Sequence, residues 1–429
     1  MTGRSTLGIW FTFLFGAICA LGPMSIDMSL PGIPNLEHEL GVQGGKGSLT
    51  LAIFLAGFCS TPLVSGLIAD RFGRRITLLV SLLCYSLAAL ACSHSSDFTA
   101  LLVARAFQGA AAGACVALPF SIVRESLPEQ TARTHIASLT AVVGLGPLIA
   151  PLLGGVITDF WSWRTVHLVQ ALAGAAIWLG LCLTYKETLI PTLRKQISFT
   201  SAVIRCAAFL KNLVFSCSSI IYAACFTIMF VFITASPKIF YGDYSVTGLQ
   251  FSLLISLISG AAFFGSLTTA ALNRRGWTDR RVMVIGCSGL LISIAALVLQ
   301  RTLGEISLTM LVVFTSLTIY FFGLVSPAAT HSALSTATED RGTASGLLRT
   351  VQMLFSAGIS VTLPWFYELM PALSAALLLM SFCLAAALIA LVGMIATCRP
   401  ISEREEIEAV EKLNCLRAEC TQGMGKSRH

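Results

Sequence analysis

Long apolar stretches separated by short polar loops fill most of the chain. Twelve of them are long enough to cross a ~30 Å hydrocarbon core as an α-helix. They lie at 7–30, 48–69, 76–93, 98–122, 134–158, 164–185, 212–236, 249–272, 281–300, 306–332, 342–366 and 373–397. The pattern predicts an all-α integral membrane protein with twelve transmembrane helices.

One polar stretch divides the twelve predicted helices into two sets of six. Residues 186–212 form the longest polar interruption, and they separate the sixth helix from the seventh. The segment 273–277, after the eighth helix, is a degraded copy of residues 70–74, after the second helix. Two similar halves around a midplane site are a recurring transporter design. We expect two pseudo-symmetric six-helix bundles: an N-terminal bundle over 1–186, a cytoplasmic linker over 187–211, a C-terminal bundle over 212–398 and a cytoplasmic tail over 399–429.

Composition supports a membrane protein and excludes several functions. Hydrophobic residues make up 55% of the chain, charged residues 11%, and the mean hydropathy is +0.82. Most of the 28 Lys and Arg residues fall in loops on one side, so the net charge of +7 reflects the positive-inside rule with both termini cytoplasmic, and no nucleic-acid partner is expected. The 14 cysteines show no metal or disulfide spacing, and no nucleophile–base pair occurs, so we expect no metal, no catalytic residues and no enzyme.

Asp27 is the first candidate functional residue, because it ends an apolar run where its neighbours indicate hydrocarbon. A carboxylate inside a spanning helix costs about 2.5–3.5 kcal/mol and usually faces a cavity or a partner. Burial favours the neutral form of a carboxylate, so that such a group can load and release protons near neutral pH. The alternative is that Asp27 lies at the outer end of the helix and reaches water.

The most specific motif follows the second predicted helix and reads Gly66-Leu67-Ile68-Ala69-Asp70-Arg71-Phe72-Gly73-Arg74-Arg75. Its glycines allow close backbone approach and a tight turn, and Asp70 lies beside the positive N-terminal end of the next helix. The segment matches the loop G-x-x-x-D-R-x-G-R-R without departure, and in it the chain resembles the major facilitator superfamily. The resemblance implies a conformational gate that stabilises the outward-facing state by charge pairs between the halves, formed by Gly66, Asp70, Arg71, Gly73, Arg74 and Arg75. A basic loop that only sets topology is the alternative.

Arg105 is a second intramembrane charge, eight residues into the fourth predicted helix and on the same helical face as Gln108. Such a group needs a partner or water. A cation near Asp27 would hold the carboxylate ionised until a proton or substrate competes. The segment resembles motif B of the superfamily, which implies a role in proton coupling. An arginine that only satisfies backbone carbonyls is the alternative.

Small residues and prolines are concentrated in the fifth predicted helix, at Gly146, Pro147, Pro151, Gly154 and Gly155. They let helices approach closely and bend. The stretch is similar to the antiporter motif G-x-x-x-G-P-x-x-G-G, with Ala150 in place of one glycine, and the resemblance implies export. A plain packing face is the alternative. Through residues 22–34, 105–113 and 161–164 the chain resembles the Bcr/CflA drug-resistance branch of drug:proton antiporters.

The second half contains no long motif, and its candidate residues are mostly aromatic. We expect a substrate cavity lined by Asp27, Arg105, Gln108, Tyr222, Phe226, Phe230 and Met353. Aromatic and methionine side chains suit an adaptable apolar pocket, but they also face lipid. Arg349 in the eleventh predicted helix either snorkels to the cytoplasm or meets an anionic substrate or Asp70. His331 either titrates near pH 7 or is a structural histidine.

These patterns favour a secondary transporter that exports small drug-like compounds across the bacterial inner membrane, with the proton as coupling ion and no other cofactor. Protonation of Asp27 would weaken its hold on Arg105 and on substrate and bias the carrier toward opening inward. Export of an endogenous metabolite, such as a siderophore, peptide or amino acid, is the alternative. The intact Asp27 and Arg105 argue against a non-transporting sensor. We expect a monomer whose partners are its substrate, protons and the lipid bilayer.

Overall fold

The computed structural model describes residues 9–127, 129–185, 187, 199–337 and 341–397. Within these residues the chain forms fifteen α-helices and no strand. In order they are α1 Ile9–Asp27, α2 Ile33–Glu39, α3 Leu49–Cys59, α4 Pro62–Phe72, α5 Arg74–Ser93, α6 Phe98–Ser126, α7 Glu129–Phe160, α8 Trp163–Thr184, α9 Phe199–Lys211, α10 Leu213–Pro237, α11 Gly248–Arg274, α12 Asp279–Leu303, α13 Leu308–Ser335, α14 Arg341–Leu369 and α15 Ala372–Thr397. The predicted tail 399–429 and part of the predicted linker, 188–198, lie outside the described residues.

The predicted all-α membrane architecture is confirmed. In the described part of the chain, eleven helical segments are long and apolar enough to span a membrane, and the bent pair α3–α4 makes a twelfth. The first span runs from Phe13 to Glu39, through α1, a short 3-10 turn and α2. Exposed apolar side chains such as Leu183, Ile292 and Ile389 cover the outer surface, where lipid takes the place of water.

Polar loop residues fix where several spans begin. The Asp97 carboxylate accepts a hydrogen bond from the Ala100 N–H at 2.9 Å, and the Asn212 side chain accepts one from Phe215 N–H at 3.1 Å. Each bond satisfies a backbone donor that the first turn of a helix leaves without a partner. Ser162, Thr278 and Ser307 cap α8, α12 and α13 in the same way.

The second span is broken where the sequence predicts one continuous helix. Its two parts, α3 and α4, meet at an angle of 45° across Ser60 and Thr61. Pro62 begins α4, and a proline has no N–H to continue the hydrogen bonds of the preceding helix. The Thr61 hydroxyl donates to the Ala110 carbonyl of α6 at 2.7 Å, which anchors the break to a neighbouring span.

Close helix crossings repeat in the two halves of the chain. Gly57 of α3 and Gly109 of α6 each lie against a backbone carbonyl of the other helix, so that an added Cβ would overlap that oxygen. Gly265 of α11 and Gly323 of α13 contact each other's helices in the same way. Small residues at these points let the two backbones approach within van der Waals contact. The repetition gives the two six-helix bundles their pseudo-symmetry.

The bundles meet along three pairs of helices, α14 with α3, α14 with α4, and α11 with α7. Further contacts join the two bundles at the other end of the molecule from the beginning of α1 and the end of α15. The Lys46 Nζ lies 3.8 Å from a Glu368 carboxylate oxygen, and the Tyr241 hydroxyl donates to the Pro31 carbonyl at 3.3 Å. These contacts join the two halves directly at that end.

Candidate functional site

Asp27 is buried within the protein near the middle of the first candidate span. It ends α1, but the first span continues to Glu39, which puts Asp27 near the middle of that span. The side chain is only 5% exposed. Among the described residues none donates a hydrogen bond to its carboxylate. This geometry differs from that of a carboxylate at the outer end of a helix, which would reach water.

Arg105 is fully buried and ties three helices together. Its Nη1 donates to Gln108 Oε1 at 2.8 Å and to the Ser25 carbonyl of α1 at 3.3 Å. Its Nε donates to the Thr50 carbonyl of α3 at 3.3 Å, and the guanidinium lies 4.5 Å from the centre of the Phe54 ring. These contacts replace the water that a charge loses on burial.

Asp27 and Arg105 are close in the fold without forming an ion pair. None of the ion pairs of the described residues joins them. The guanidinium instead binds the backbone of α1 at Ser25, two residues before Asp27. Arg105 therefore binds backbone carbonyls of α1 and α3 as well as the Gln108 side chain, and its part in proton coupling stays a prediction.

A buried polar network extends from Arg105 to two further helices. Gln108 Nε2 donates to Gln170 Oε1 of α8 at 2.9 Å, and His167 of the same helix lies 3.3 Å from that oxygen. On the other side, the Ser25 and Tyr85 hydroxyls are 2.5 Å apart. Sequence reasoning missed these partners, although His167 and Gln170 lie three residues apart on one face of an apolar helix.

The glycines of α7 connect the Asp27 region to the other half of the molecule. A Cβ at Gly154 would overlap the Met28 carbonyl, so α7 lies directly against the residue after Asp27. A Cβ at Gly155 would overlap the Ser252 hydroxyl of α11. Gly146, Pro147 and Pro151 lie in the same helix, and a Cβ added at Gly146 would make only an ordinary contact with Pro23.

The loop after α4 turns at Gly73, whose φ of +104° favours glycine. Asp70 pairs with Arg74 at 3.0 Å, both within the N-terminal bundle. Arg71 lies in the last turn of α4. We expected the glycines of this loop to allow close backbone approach. At Gly66 no other part of the protein comes close in this conformation, because an added Cβ there would meet no atom within 4 Å.

Glu187, just after α8, is a partner of this loop that the sequence did not indicate. Its carboxylate accepts the backbone N–H groups of Arg74 and Arg75, at 3.2 and 3.1 Å. These are the first residues of α5, where the helix dipole favours a negative charge. The Arg75 guanidinium donates to the Cys182 carbonyl at 2.9 Å, so the loop is fixed to α8 from both directions.

The aromatic residues of the second half lie in the packed interior of the C-terminal bundle. Phe226 and Phe230 stack with their ring centres 6.0 Å apart, and Phe226 meets Phe322 of α13 edge-on at 5.9 Å. Tyr222 and Met353 are buried at 4% and 9% exposure. Their contact with substrate stays a prediction.

Two titratable or charged groups named from the sequence have partners in the same bundle. Arg349 Nη1 donates to the Tyr222 hydroxyl at 2.9 Å. His331 Nδ1 lies 2.6 Å from an Asp279 carboxylate oxygen at the start of α12, which fits a structural histidine. Among the described residues no three His, Cys, Asp or Glu side chains group closely enough to hold a metal ion.

Several relatives of known sequence match most of the chain. It is 27% identical over 362 residues to an uncharacterized MFS-type transporter, YdgK, of Bacillus subtilis, covering 84% of this chain and 89% of the relative. It is also 27% identical over 406 residues to the multidrug resistance protein MdtL of Klebsiella pneumoniae, covering 92% and 97%.

Solved structures show the same fold at low sequence identity. A bacterial homolog of the human lysosomal transporter Spinster, inward-facing and unoccupied, superposes with a TM-score of 0.69 at 14% identity, covering 91% of this chain and 96% of that one. A D-xylose-proton symporter gives 0.67 at 16% identity, covering 89% and 97%. The family model of the Major Facilitator Superfamily matches residues 13–361. The chain therefore belongs to the major facilitator superfamily, a family of multi-pass membrane transporters.

Proposed function

We propose that this protein exports small drug-like compounds in exchange for protons across the bacterial inner membrane, with both termini cytoplasmic, as a member of the Bcr/CflA branch. The observation that carries the proposal is the Asp27 carboxylate, which is buried in mid-span beside the α7 glycines and has no arginine partner among the described residues. The similarity to multidrug resistance proteins named MdtL supports the drug-like substrate class.

The proposed coupling uses the cost of a charge in hydrocarbon. A carboxylate without a cation or water takes up a proton, and it releases the proton when an open cavity admits water or substrate. The protonation state of Asp27 then differs between the inward-open and outward-open states, which is the differential interaction that such a switch requires. Each net charge that crosses the membrane adds about 2.3 kcal/mol per 100 mV of membrane potential.

The role of Arg105 in this scheme is to position Asp27. Because its guanidinium holds the Ser25 carbonyl, it fixes the rotation of α1 two residues before the carboxylate. Asp27 therefore keeps its place when its proton leaves. This differs from direct charge pairing, for which the ionised Asp27 would have to contact Arg105.

The test is drug-driven proton release in inverted membrane vesicles, measured with a panel of chemically unrelated antibiotics. We expect Asp27→Asn to abolish proton release, although the variant still inserts into the membrane and elutes from a sizing column at the same volume as the native protein. Asp97→Asn is the matched control, because Asn caps a helix as well as Asp and the residue lies outside the span. It should change proton release by no more than about twofold.

Two outcomes would reject the proposal. If Asp27→Asn releases protons as the native protein does, Asp27 is not the coupling residue. If no drug evokes a response in either protein, the substrate is not drug-like, and the same assay would be repeated with siderophores, peptides and amino acids.

A further inference from the structure

Arg349 lies on the interior face of α14, and yet it is exposed. The same face carries Gln352, Ser356 and Ser360, which are buried at 1% or less. The lipid-facing side of this helix is marked instead by the exposed Leu354, which lies about 140° from Arg349 around a helix of 3.6 residues per turn. The accessible surface of Arg349 therefore borders an interior space between helices.

The side chain does not snorkel toward the nearer membrane surface. Its Nη1 donates to the Tyr222 hydroxyl of α10 at 2.9 Å and to Gln352 Oε1 at 3.3 Å. Gln352 lies one turn further along α14, away from the beginning of that helix at Arg341. The guanidinium is thus held inside the bundle, 5.8 Å from the centre of the Tyr222 ring.

A comparison with Arg105 shows what distinguishes Arg349. Arg105 is 0% exposed, and all three of its guanidinium nitrogens donate to protein oxygens. Arg349 uses only Nη1, and among the described residues its Nε and Nη2 have no acceptor. The Nε–Nη2 edge presents two parallel N–H groups, the geometry that binds both oxygens of one carboxylate.

Among the described residues of the C-terminal bundle, no acidic side chain forms an ion pair with this cation. Between 213 and 397 the sequence has Asp and Glu only at the ends of helices or between them. None of the ion pairs of the described residues includes Arg349. A permanent charge inside a span without a counter-ion favours an anion brought by a ligand.

We propose that Arg349, oriented by Tyr222 and Gln352, binds a carboxylate group of the transported compound. The inference rests on the proposed export function and narrows its substrate class to aromatic or apolar carboxylates. Phe226, one turn beyond Tyr222 and only partly buried, gives the apolar part of such a compound a surface to pack on. An inside-negative membrane potential favours outward movement of an anion by about 2.3 kcal/mol per charge per 100 mV.

The test is equilibrium binding to the purified full-length protein in phosphatidylcholine nanodiscs, with 2-naphthoate and 2-naphthamide as probes. The two probes share the ring system and differ only in the charge of the head group. We expect the native protein to prefer naphthoate by about 10- to 150-fold, the range for hydrogen bonds to a charged group. Arg349→Gln should remove this preference and leave naphthamide binding within about twofold.

Further variants separate binding from folding. Arg349→Lys keeps the charge but lacks the planar fork, and it should retain part of the preference. Arg274→Gln makes the same chemical change at an exposed arginine at the end of α11, and it should bind both probes as the native protein does. Because a misfolded variant loses both probes together, naphthamide reports folding in each measurement.

The proposal is wrong if the native protein binds the two probes equally, or if Arg349→Gln keeps the preference for naphthoate. Binding needs no proton gradient, so the result is independent of the vesicle assay. An Arg349-dependent preference with no proton movement for any compound would reject coupled export and retain the anion site. Antiport of neutral drugs without a naphthoate preference would reject the anion site and retain coupled export.

Discussion

Replacement of Gly109 by alanine tests whether the close crossing of α3 and α6 holds the polar network in place. The added Cβ would overlap the Phe54 carbonyl oxygen, a backbone atom that cannot rotate away. The two helices would have to separate by on the order of 1 Å to restore van der Waals contact. Phe54 lies under the Arg105 guanidinium and Thr50 accepts from it, so the separation would also stretch the contacts that position α1.

The expected magnitude follows from two opposing effects. Overpacking of a well-packed contact costs typically about 1–3 kcal/mol, and a backbone overlap lies at the upper end of that range. Alanine in a helix is more favourable than glycine by about 1 kcal/mol. Gly109→Ala should therefore be destabilised by about 2 kcal/mol. Gly66→Ala, where the Cβ meets no atom within 4 Å, should be stabilised by about 1 kcal/mol.

The assay compares apparent unfolding midpoints of both variants in one detergent at one heating rate. We expect the two midpoints to differ by about 5 °C in the stated order. If Gly66 belongs to the conformational gate that the resemblance to the superfamily implies, Gly66→Ala should nevertheless lose drug-driven proton release. Equal midpoints for Gly109→Ala and native protein would refute the packing argument. Full transport by Gly66→Ala would refute the assignment of Gly66 to the gate.

Two further predictions concern charges at the two membrane surfaces. Glu187→Ala removes the acceptor of two backbone N–H groups at the start of α5, so it should lower the free energy of unfolding by about 1–2 kcal/mol, and Glu187→Gln should have an intermediate effect. Unfolding midpoints measure this, and an unchanged midpoint for Glu187→Ala would contradict it. Both side chains of the Lys46–Glu368 pair are exposed, so a double-mutant cycle with Lys46→Gln and Glu368→Gln should give a coupling energy below about 1 kcal/mol. A larger coupling energy would mean that the pair is desolvated.

The spans were predictable because a membrane leaves few options for a long apolar segment. Every backbone N–H and C=O in hydrocarbon must be paired within the protein, and a helix pairs them within one segment. The break at Ser60–Thr61 was not predicted, although Pro62 is a signal that a helix ends before it. The apolar pattern continues across the bend, and hydropathy carries no information about the direction of the helix axis.

The partners of the charged residues were less predictable than the residues themselves. Arg105 was visible as a charge in an apolar helix, but its acceptor is the Ser25 carbonyl rather than Asp27. Residues two apart on a helix are rotated by about 200° relative to each other. The closeness of Arg105 to α1 therefore does not determine which residue of α1 its guanidinium contacts. Glu187 lies more than a hundred positions from Arg74, and only the folded chain brings them together.

The break in the second span also has a consequence for motion. α3 is held against α6 by glycine contacts, whereas α4 continues beyond a bend that lacks the full set of helical hydrogen bonds. Thr61 is therefore the point at which the angle between α3 and α4 can change while the crossing of α3 and α6 stays intact. The far end of α4 is held by the loop that Glu187 and Arg75 fix to α8. The amide protons of Ser60, Thr61, Leu63 and Val64 should exchange with deuterium faster than those of α3, because the helical hydrogen bonds are interrupted at the bend. A carrier built in this way can open one surface by bending a single helix, before its two halves move as whole bodies.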